Sequence, residues 1–319
     1  MISLLRNDEI DSKAWDLCVA NAARPLVYAN SWYLDIVCEQ WAGVVVEETR
    51  GEYLLVLPIP ILTKWNRCFV RMPLFCQQLG VFASTNCSLQ MQKEAIACFM
   101  KHYSYINPYV FAHKPLVTFS SKKLEVATNF ELLLTLPYEK NYQAYRRDRK
   151  KDLNAAKKIK QKIVSSLSPE PMIAMFESSV VPSFEGGIHP GTYRYLKDIL
   201  KISFQKNIGK LYYTQYEDGT YGAACFFVIW QKRIIYLFNA AFSEKRKDNG
   251  RMLILDDMIQ QYSQSEYVLD FESPMDVASI RDFYQSFGAK EKELYVLRQD
   301  NLPFYISMLR KIRKSILTR

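Results

Sequence analysis

The chain has 319 residues, of which 49% are hydrophobic and 24% are charged. This length suits two domains of about 150 residues, each able to bury a core, and the composition excludes a disordered chain. The formal net charge of +9 is concentrated locally, because nine Lys and Arg residues fall between Tyr145 and Lys162. A local basic segment favours binding of one anionic group over coating of a polyanion.

The seven Cys residues are scattered without a C-x-x-C pair, and the chain has only three His residues. These counts support neither a disulfide framework nor a zinc site, so we expect a reducing compartment and no metal. The N-terminus lacks a signal-peptide pattern, and no window holds the roughly 20 uninterrupted apolar residues that a spanning helix needs. We therefore expect a cytoplasmic protein with no transmembrane segment.

The first half predicts two helices followed by antiparallel strands. Ser12 and Ser31 read as N-caps of short helices over 12–22 and 31–39. The pattern of residues 44–57 predicts a hairpin, and Pro58 and Pro60 place the end of its second strand at a sheet edge. The remaining elements predicted in this half are a strand near 68–70, a helix at 88–103 and a strand at 105–113.

Two adjacent amides stand in the stretch Pro73-Leu74-Phe75-Cys76-Gln77-Gln78-Leu79-Gly80, which predicts a loop running into a strand. Gln77 and Gln78 either bind a substrate or hydrogen-bond a neighbouring loop. The sequence leaves both interpretations open.

A strand over 130–136 ends at Pro137, where we place the boundary between domains 1–137 and 138–319. One long helical pattern then runs from Asn141 to Lys162. One stripe on its 3.6-residue period comprises Tyr142, Tyr145, Arg149, Leu153, Ala156 and Ile163. Arg149 therefore points inward or along a cleft, where it meets either an anionic ligand or an internal carboxylate such as Asp270 or Glu272.

The stretch 182–191 is dense in Gly and Pro and contains His189, so it predicts a loop that either covers a pocket or lies on the surface. A helix over 192–207 and a strand over 211–216 follow. Asp218-Gly219 predicts a hairpin into the strand 221–230, and a further strand follows at 234–240. Tyr236 and Asn239 of that strand are candidate substrate-binding residues.

A basic turn precedes the helix predicted at 252–262. The residues of this turn that are candidates to hold an anion are Arg246, Asn249, Gly250 and Arg251. Free amides at a helix N-terminus favour an anion, although a basic loop with one Gly is also a common surface turn. At the end of the chain, 302–319 predicts a basic amphipathic helix that packs on its own domain or lies on an anionic membrane.

The most informative stretch is Tyr267-Val268-Leu269-Asp270-Phe271-Glu272-Ser273, followed by Ile280-Arg281-Asp282-Phe283-Tyr284-Gln285-Ser286-Phe287-Gly288-Ala289. It predicts a buried strand, a short helix that Gly288 terminates, and another strand. Side chains at i and i+2 of a strand share a face, so Asp270 and Glu272 should project together where the strand leaves the sheet.

This unit resembles the last quarter of a GNAT-type acyltransferase, in which a helix written Phe-Tyr-x-x-x-Gly follows the strand beside the acyl thioester. The wider phrase, with the stretches Tyr28-Ala29-Asn30-Ser31-Trp32-Tyr33-Leu34-Asp35 and 73–80, is similar to Fem-like acyltransferases. The chain departs from that pattern where Arg71-Met72-Pro73 replaces Gln-Pro, and its basic turn lacks the second glycine. The resemblance implies an α+β fold of two tandem GNAT-type domains with mostly antiparallel sheets flanked by helices.

The same resemblance implies an N-acyltransferase that moves an acyl or aminoacyl group to an amine. The donor would be acyl-coenzyme A or aminoacyl-tRNA, and the acceptor a small molecule or a cell-wall-precursor amine. Glu272 would then be the base, Asp270 an orienting carboxylate and Tyr284 the acid. Two alternatives stay open: the carboxylates cap the next helix or pair with Arg149 or Arg281, or the chain is a non-catalytic binding protein or a nucleic-acid binder through 146–162.

Overall fold

The computed structural model describes residues 2–49, 51–64, 67–119, 123–179, 190–273 and 277–302. The predicted loop up to His189 and the predicted C-terminal helix lie outside these residues. The chain forms two compact units, Met1–Ala127 with Leu294–Arg319, and Thr128–Glu293. The domain boundary near Pro137 stays a prediction.

The strands are β1 (Ile2–Arg6), β2 (Gln40–Thr49), β3 (Glu52–Lys64), β4 (Arg67–Val70), β5 (Phe82–Ala83), β6 (Tyr105–Phe111), β7 (Leu124–Leu133), β8 (Gln161–Ser166), β9 (Gly209–Tyr216), β10 (Tyr221–Trp230), β11 (Arg233–Ala241), β12 (Val268–Asp270) and β13 (Lys290–Asp300). The α-helices are α1 (Ser12–Ala20), α2 (Ser31–Val37), α3 (Leu89–His102), α4 (Tyr138–Ala144), α5 (Arg147–Lys158), α6 (Glu170–Ser179), α7 (Pro190–Gln205), α8 (Gly250–Tyr262) and α9 (Ala278–Gln285).

The first unit is built on strands in the order β1-β2-β3-β4-β6-β13, with β5 beside β3. Its pairs are antiparallel except for β4 with β6. The expectation that Pro58 and Pro60 place the end of the second hairpin strand at a sheet edge is wrong, because β3 continues to Lys64 and its end pairs with both β2 and β4. On one side of β3, Pro58 and Pro60 lie opposite residues of β2. On its other side, β5 pairs with Leu55 and Val56, β4 pairs from Ile61 onward, and both prolines lie between these two segments. Their missing N–H groups therefore cost no ladder bond there.

The helix caps of this unit lie one residue earlier than predicted. Asp11, not Ser12, caps α1, and its side chain accepts hydrogen bonds from the backbone N–H groups of Lys13 and Ala14. Asn30, not Ser31, occupies the N-cap position of α2. In both cases the residue with extended backbone before the first helical turn is the Asx residue, a preferred cap.

The second unit has strands in the order β7-β12-β11-β10-β9-β8, of which only the β11–β12 pair is parallel. The hairpin predicted at Asp218-Gly219 joins β9 to β10, and Gly219 has a φ of +85° that suits glycine. Phe130, Phe227, Phe271 and Phe287 are fully buried in its core.

The single long helix predicted from Asn141 to Lys162 is wrong. The chain instead forms α4, α5 and β8, and the backbone of Tyr145 and Arg146 is extended between the helices. The Arg146 N–H donates to the carbonyl of Ser286, a contact 140 positions away that local periodicity cannot reveal. The predicted inward stripe nevertheless holds in part, since Tyr145, Arg149, Leu153 and Ala156 are buried.

Candidate active site

The second unit contains a parallel strand pair that separates. β11 and β12 are paired from Arg233 and Val268 to Ile235 and Asp270. β12 ends there, whereas β11 runs on to Ala241. Beyond Ile235 the edge of β11 therefore no longer pairs with β12. We call this point of separation the fork of β11 and β12, and the residues that follow β12 lie beside it.

Asp270 ends β12 and is fully buried. Its carboxylate accepts hydrogen bonds from Arg233 Nη1 at 2.8 Å and from Asn129 Nδ2 at 2.7 Å, and Arg233 also pairs with Glu131 at 2.9 Å. Burial lowers the pKa of Arg233, but the carboxylates of Asp270 and Glu131 outweigh it, so the pKa is raised. The alternative in which Asp270 pairs with Arg149 or Arg281 is not found among the described contacts, where Arg233 is its cation.

Glu272 is half-buried and follows the strand in a left-handed conformation with a φ of +48°. Its backbone N–H donates to Asp270 Oδ1 at 3.0 Å. The prediction that Asp270 and Glu272 share one strand face is wrong, because β12 ends at Asp270 and a left-handed residue breaks the alternation. Asp270 instead fixes the backbone from which the Glu272 side chain projects.

Tyr284 lies on α9 with its ring stacked on Phe271 at a centroid distance of 4.7 Å. Burial is the main cause of its raised pKa; the positive charge of Arg251 opposes this, whereas Glu272 and Cys225 add to it. Among the described residues no group hydrogen-bonds the Tyr284 hydroxyl. Tyr284 therefore keeps its proton at neutral pH and lies within electrostatic reach of Arg251 and Glu272.

The N-terminus of α8 lies at a small concavity of about 30 Å³. Its lining comprises Ala241, Lys245, Arg246, Asn249, Gly250, Arg251, Met252 and Phe283. Three cations thus surround a space with room for a water or two, so a larger anion would lie at its surface. Asn249 enters the helix with a φ of +57°, and Arg251 donates to Asn239 Oδ1 at 2.7 Å.

Gly250 has a packing role that the sequence did not reveal. A Cβ there would lie 2.6 Å from Thr214 Oγ1 and 2.9 Å from the Cβ of Ala223. Both distances are shorter than side chains tolerate, so glycine lets the start of α8 approach β9 and β10. Arg246, by contrast, is exposed and donates to the carbonyl of Ser179.

Arg149 points inward as predicted, and its side chain contacts residues in or next to α5, α8 and α9. Its guanidinium lies 4.7 Å from the ring centroid of Phe283, and Nε donates to Ser286 Oγ at 2.7 Å. Its carboxylate partner is Asp152 at 3.3 Å, and burial lowers the pKa of the Arg149 guanidinium. Arg149 therefore supports the wall that Phe283 and Met252 give to the concavity.

Three more residues, Tyr236, Gln77 and Gln78, were predicted to bind substrate. Tyr236 is buried, and its hydroxyl lies 3.4 Å from Cys225 Sγ. Gln77 and Gln78 belong to the first unit, where Gln78 is buried and its Nε2 donates to Gln77 Oε1 at 3.3 Å. Their roles toward a substrate stay predictions.

Sequence reasoning missed Arg233 and Asn129. The signal for Arg233 was a cation directly before the apolar residues of β11, where a buried charge requires a partner. Asn129 gave no such signal, since its contacts to Asp270 and to the backbone of Ser273 are with residues more than 140 positions away.

In the described part of the chain no helix is long and apolar enough to span a membrane. Those same residues include no group of three or more His, Cys, Asp or Glu side chains placed to hold a metal ion.

No family model matches the sequence, and no curated protein matches it. Solved structures do match the fold. FemX aligns with a TM-score of 0.63 at 10% identity, covering 91% of this chain and 96% of that one. L-PGS from Bacillus licheniformis aligns with a TM-score of 0.54 at 9% identity, over 95% of this chain and 96% of that one.

A tandem GNAT protein from the clavulanic acid biosynthesis pathway aligns with a TM-score of 0.50 at 9% identity, over 95% of this chain and 99% of that one. Each of these three matches spans nearly the whole of both chains. At such identities they establish architecture and not activity. The α+β chain has the Fem-like, tandem GNAT fold that the sequence predicted.

Proposed function

We propose that the protein is an N-acyltransferase whose reacting groups lie at the fork of β11 and β12. The observation that carries this proposal is the position of Tyr284 on the helix after β12, where the charges of Arg251 and Glu272 both act on its hydroxyl. The fold neighbours FemX and the tandem GNAT protein support the same class of reaction.

In the proposed step the acceptor amine attacks the acyl carbonyl of the donor. The new C–N bond forms as the C–S bond of a thioester, or the C–O bond of an ester, breaks. Glu272 takes the proton that the amine loses, and Tyr284 gives its proton to the departing sulfur or oxygen. The raised pKa of Tyr284 suits this role, since the hydroxyl arrives protonated.

The donor's phosphates would be held by cations at the start of α8. Lys245, Arg246 and Arg251 line the concavity there, and the free backbone amides of a helix N-terminus favour an anion. This arrangement suits the pyrophosphate of acyl-coenzyme A. The acceptor would be a small-molecule or cell-wall-precursor amine.

A second form of the proposal uses aminoacyl-tRNA as the donor. The side chains of Arg147, Lys151 and Lys158 on α5 are exposed and lack ion pairs among the described residues. An RNA contacting several of them would lose affinity steeply as salt rises, whereas a single pyrophosphate would lose it shallowly.

The test is a thermal-shift screen with acetyl-coenzyme A, longer acyl-coenzyme A species, uridine-diphosphate sugars and an aminoacylated RNA. A ligand that binds only the folded chain raises the unfolding midpoint by mass action. We expect a donor of one class to raise it, and the Arg251→Ala and Arg149→Ala variants to bind that donor more weakly than Lys162→Ala does. Equal, small effects of all three substitutions would contradict the proposed phosphate site.

A further inference from the structure

The first unit contains a second strand fork. Leu79 pairs with β6, because its N–H donates to the carbonyl of Val110 and its carbonyl accepts from the N–H of Ala112, both at 2.8 Å. At Gly80, with a φ of +136°, the chain turns away, and the residues that follow form β5 beside β3. β5 and the end of β6 therefore diverge.

The fork opens into a cavity of about 600 Å³. Such a volume falls in the range of small-molecule sites, which are mostly apolar with a few polar groups. Leu79, Phe82, Ile96 and Phe111 are buried and line its interior. Leu116, also lining the cavity, is 41% exposed and extends the apolar surface toward solvent.

The ionisable side chains in the described lining, apart from Cys87, are basic. Arg24, His113 and Lys114 line the cavity, and no Asp or Glu stands among its described lining residues. The first turn of α3, including Ser88 and Gln92, lines it as well and contributes the positive end of a helix dipole.

We propose that this cavity binds a carboxylic acid with an apolar chain, the chain lying against Leu79, Phe82 and Ile96 and the carboxylate lying near Lys114. The proposal concerns the first unit alone and does not rest on acyl transfer at the β11–β12 fork.

Titration calorimetry on the full chain, with decanoate, decanol and decylamine as probes, tests it. We expect decanoate to bind more tightly than decanol, and decylamine to bind weakest. The Lys114→Glu substitution, which changes an exposed side chain, should weaken decanoate binding by about fivefold or more and leave decanol binding unchanged. Lys13→Glu, at the far end of α1 from Ala22, is the matched control and should change neither.

A second variant tests the cavity rather than the charge. Ala83→Phe places a ring in the space and should abolish binding of both decanoate and decanol. Binding of decanoate that is equal in wild type and Lys114→Glu, or no decanoate binding by the wild type, would overturn the proposal. A Lys114→Glu effect of the same size on decanol would also overturn it, because the carboxylate would then not be recognised.

Discussion

Asp270 connects three elements of the second unit through one carboxylate. It receives hydrogen bonds from Arg233 at the start of β11, from Asn129 on β7 and from the backbone of Glu272. Two of these donors come from neighbouring strands, so the position of Glu272 depends on the whole strand end. Removing one member of a buried ion pair leaves the other charge out of water, which is the costly way to break it.

The first prediction concerns Arg233. Arg233→Met should lower the free energy of unfolding by about 3–5 kcal/mol, because Asp270 then stays buried without its cation. Urea unfolding of the full chain measures this. Lys232→Met is the matched control: its pair with Glu266 is exposed, so little change is expected. Equal losses in the two variants would contradict the role given to the buried network.

For single residues, the sequence predicted that the Arg149 side chain faces inward, but it did not predict which groups that side chain contacts. Its position on an apolar stripe is a local property, readable from helical spacing. The ring of Phe283 on α9 and the Arg149 partner Ser286, the C-cap of α9, are more than 130 residues away. Which carboxylate meets which cation in the core is likewise decided by strand order, which a single sequence does not contain.

At the scale of elements, α8 depends on a glycine at its first position. Gly250→Ala should destabilise the protein by about 1–3 kcal/mol, because the added Cβ would collide with the Thr214 hydroxyl. The loss should be smaller in a Thr214→Ala background, and a double-mutant cycle measures the difference. A loss unchanged by Thr214→Ala would mean that the collision with the Thr214 hydroxyl is not its cause.

Arg146 joins the start of α5 to α9 through Asp148 and Asp282. Its hydrogen bonds hold the pKa of Asp148 at about 2, below the ordinary value of 3.8, and lower the pKa of Asp282 too. A carboxylate whose pKa is lower in the folded than in the unfolded state stabilises the fold at pH values above its unfolded-state pKa. This stability is lost as the pH falls toward the folded-state pKa.

Arg146→Gln should therefore lower the unfolding midpoint at neutral pH, and the difference from wild type should shrink between pH 3.8 and about 2. Thermal unfolding at a series of pH values measures it. The neighbouring Arg147→Gln changes a side chain without a described ion pair and should have little effect at any pH. A difference from wild type that persists at pH 2 would exclude the two carboxylates as its cause.

The elements that local pattern defines were predictable, including the β9–β10 hairpin at Asp218-Gly219 and the stop at Gly288, whose φ is +81°. The break between α4 and α5 was not, because a basic segment of good helix formers fits one helix as well as two. What divides it is the contact of Arg146 with Ser286 and Asp282.

For the molecule as a whole, the contacts of β7 bear on where the second unit can be cut. β7 pairs with β12 and supplies Asn129 and Glu131 to the buried network. A fragment 138–319 lacks this strand, whereas a fragment 128–293 retains the part of it that pairs with β12 and holds Asn129 and Glu131. We expect fragment 128–293 to be more soluble and to unfold more cooperatively than fragment 138–319. Gel filtration and urea titration measure these two properties. A monomeric, cooperative fragment 138–319 would instead favour the boundary at Pro137.

The fold was predictable from one phrase near the end of the chain, since residues 266–289 resemble a known acyltransferase unit and the solved structures match the whole architecture. The cavity of the first unit was not predictable. It arises where Gly80 directs the chain away from β6, and residues that line it come from segments as distant as Ala22 and Leu116.

Turnover of Glu272→Gln and Tyr284→Phe, with the donor identified by thermal shift, tests the central claim most directly. Each substitution keeps the shape of the side chain and removes its proton-transfer group, so we expect kcat to fall by about 10²–10⁴-fold with an unchanged unfolding midpoint. Tyr212→Phe, a half-buried tyrosine on β9, is the matched control and should retain activity. Wild-type turnover of both site variants across the pH range would mean that the fork of β11 and β12 is architectural and not catalytic.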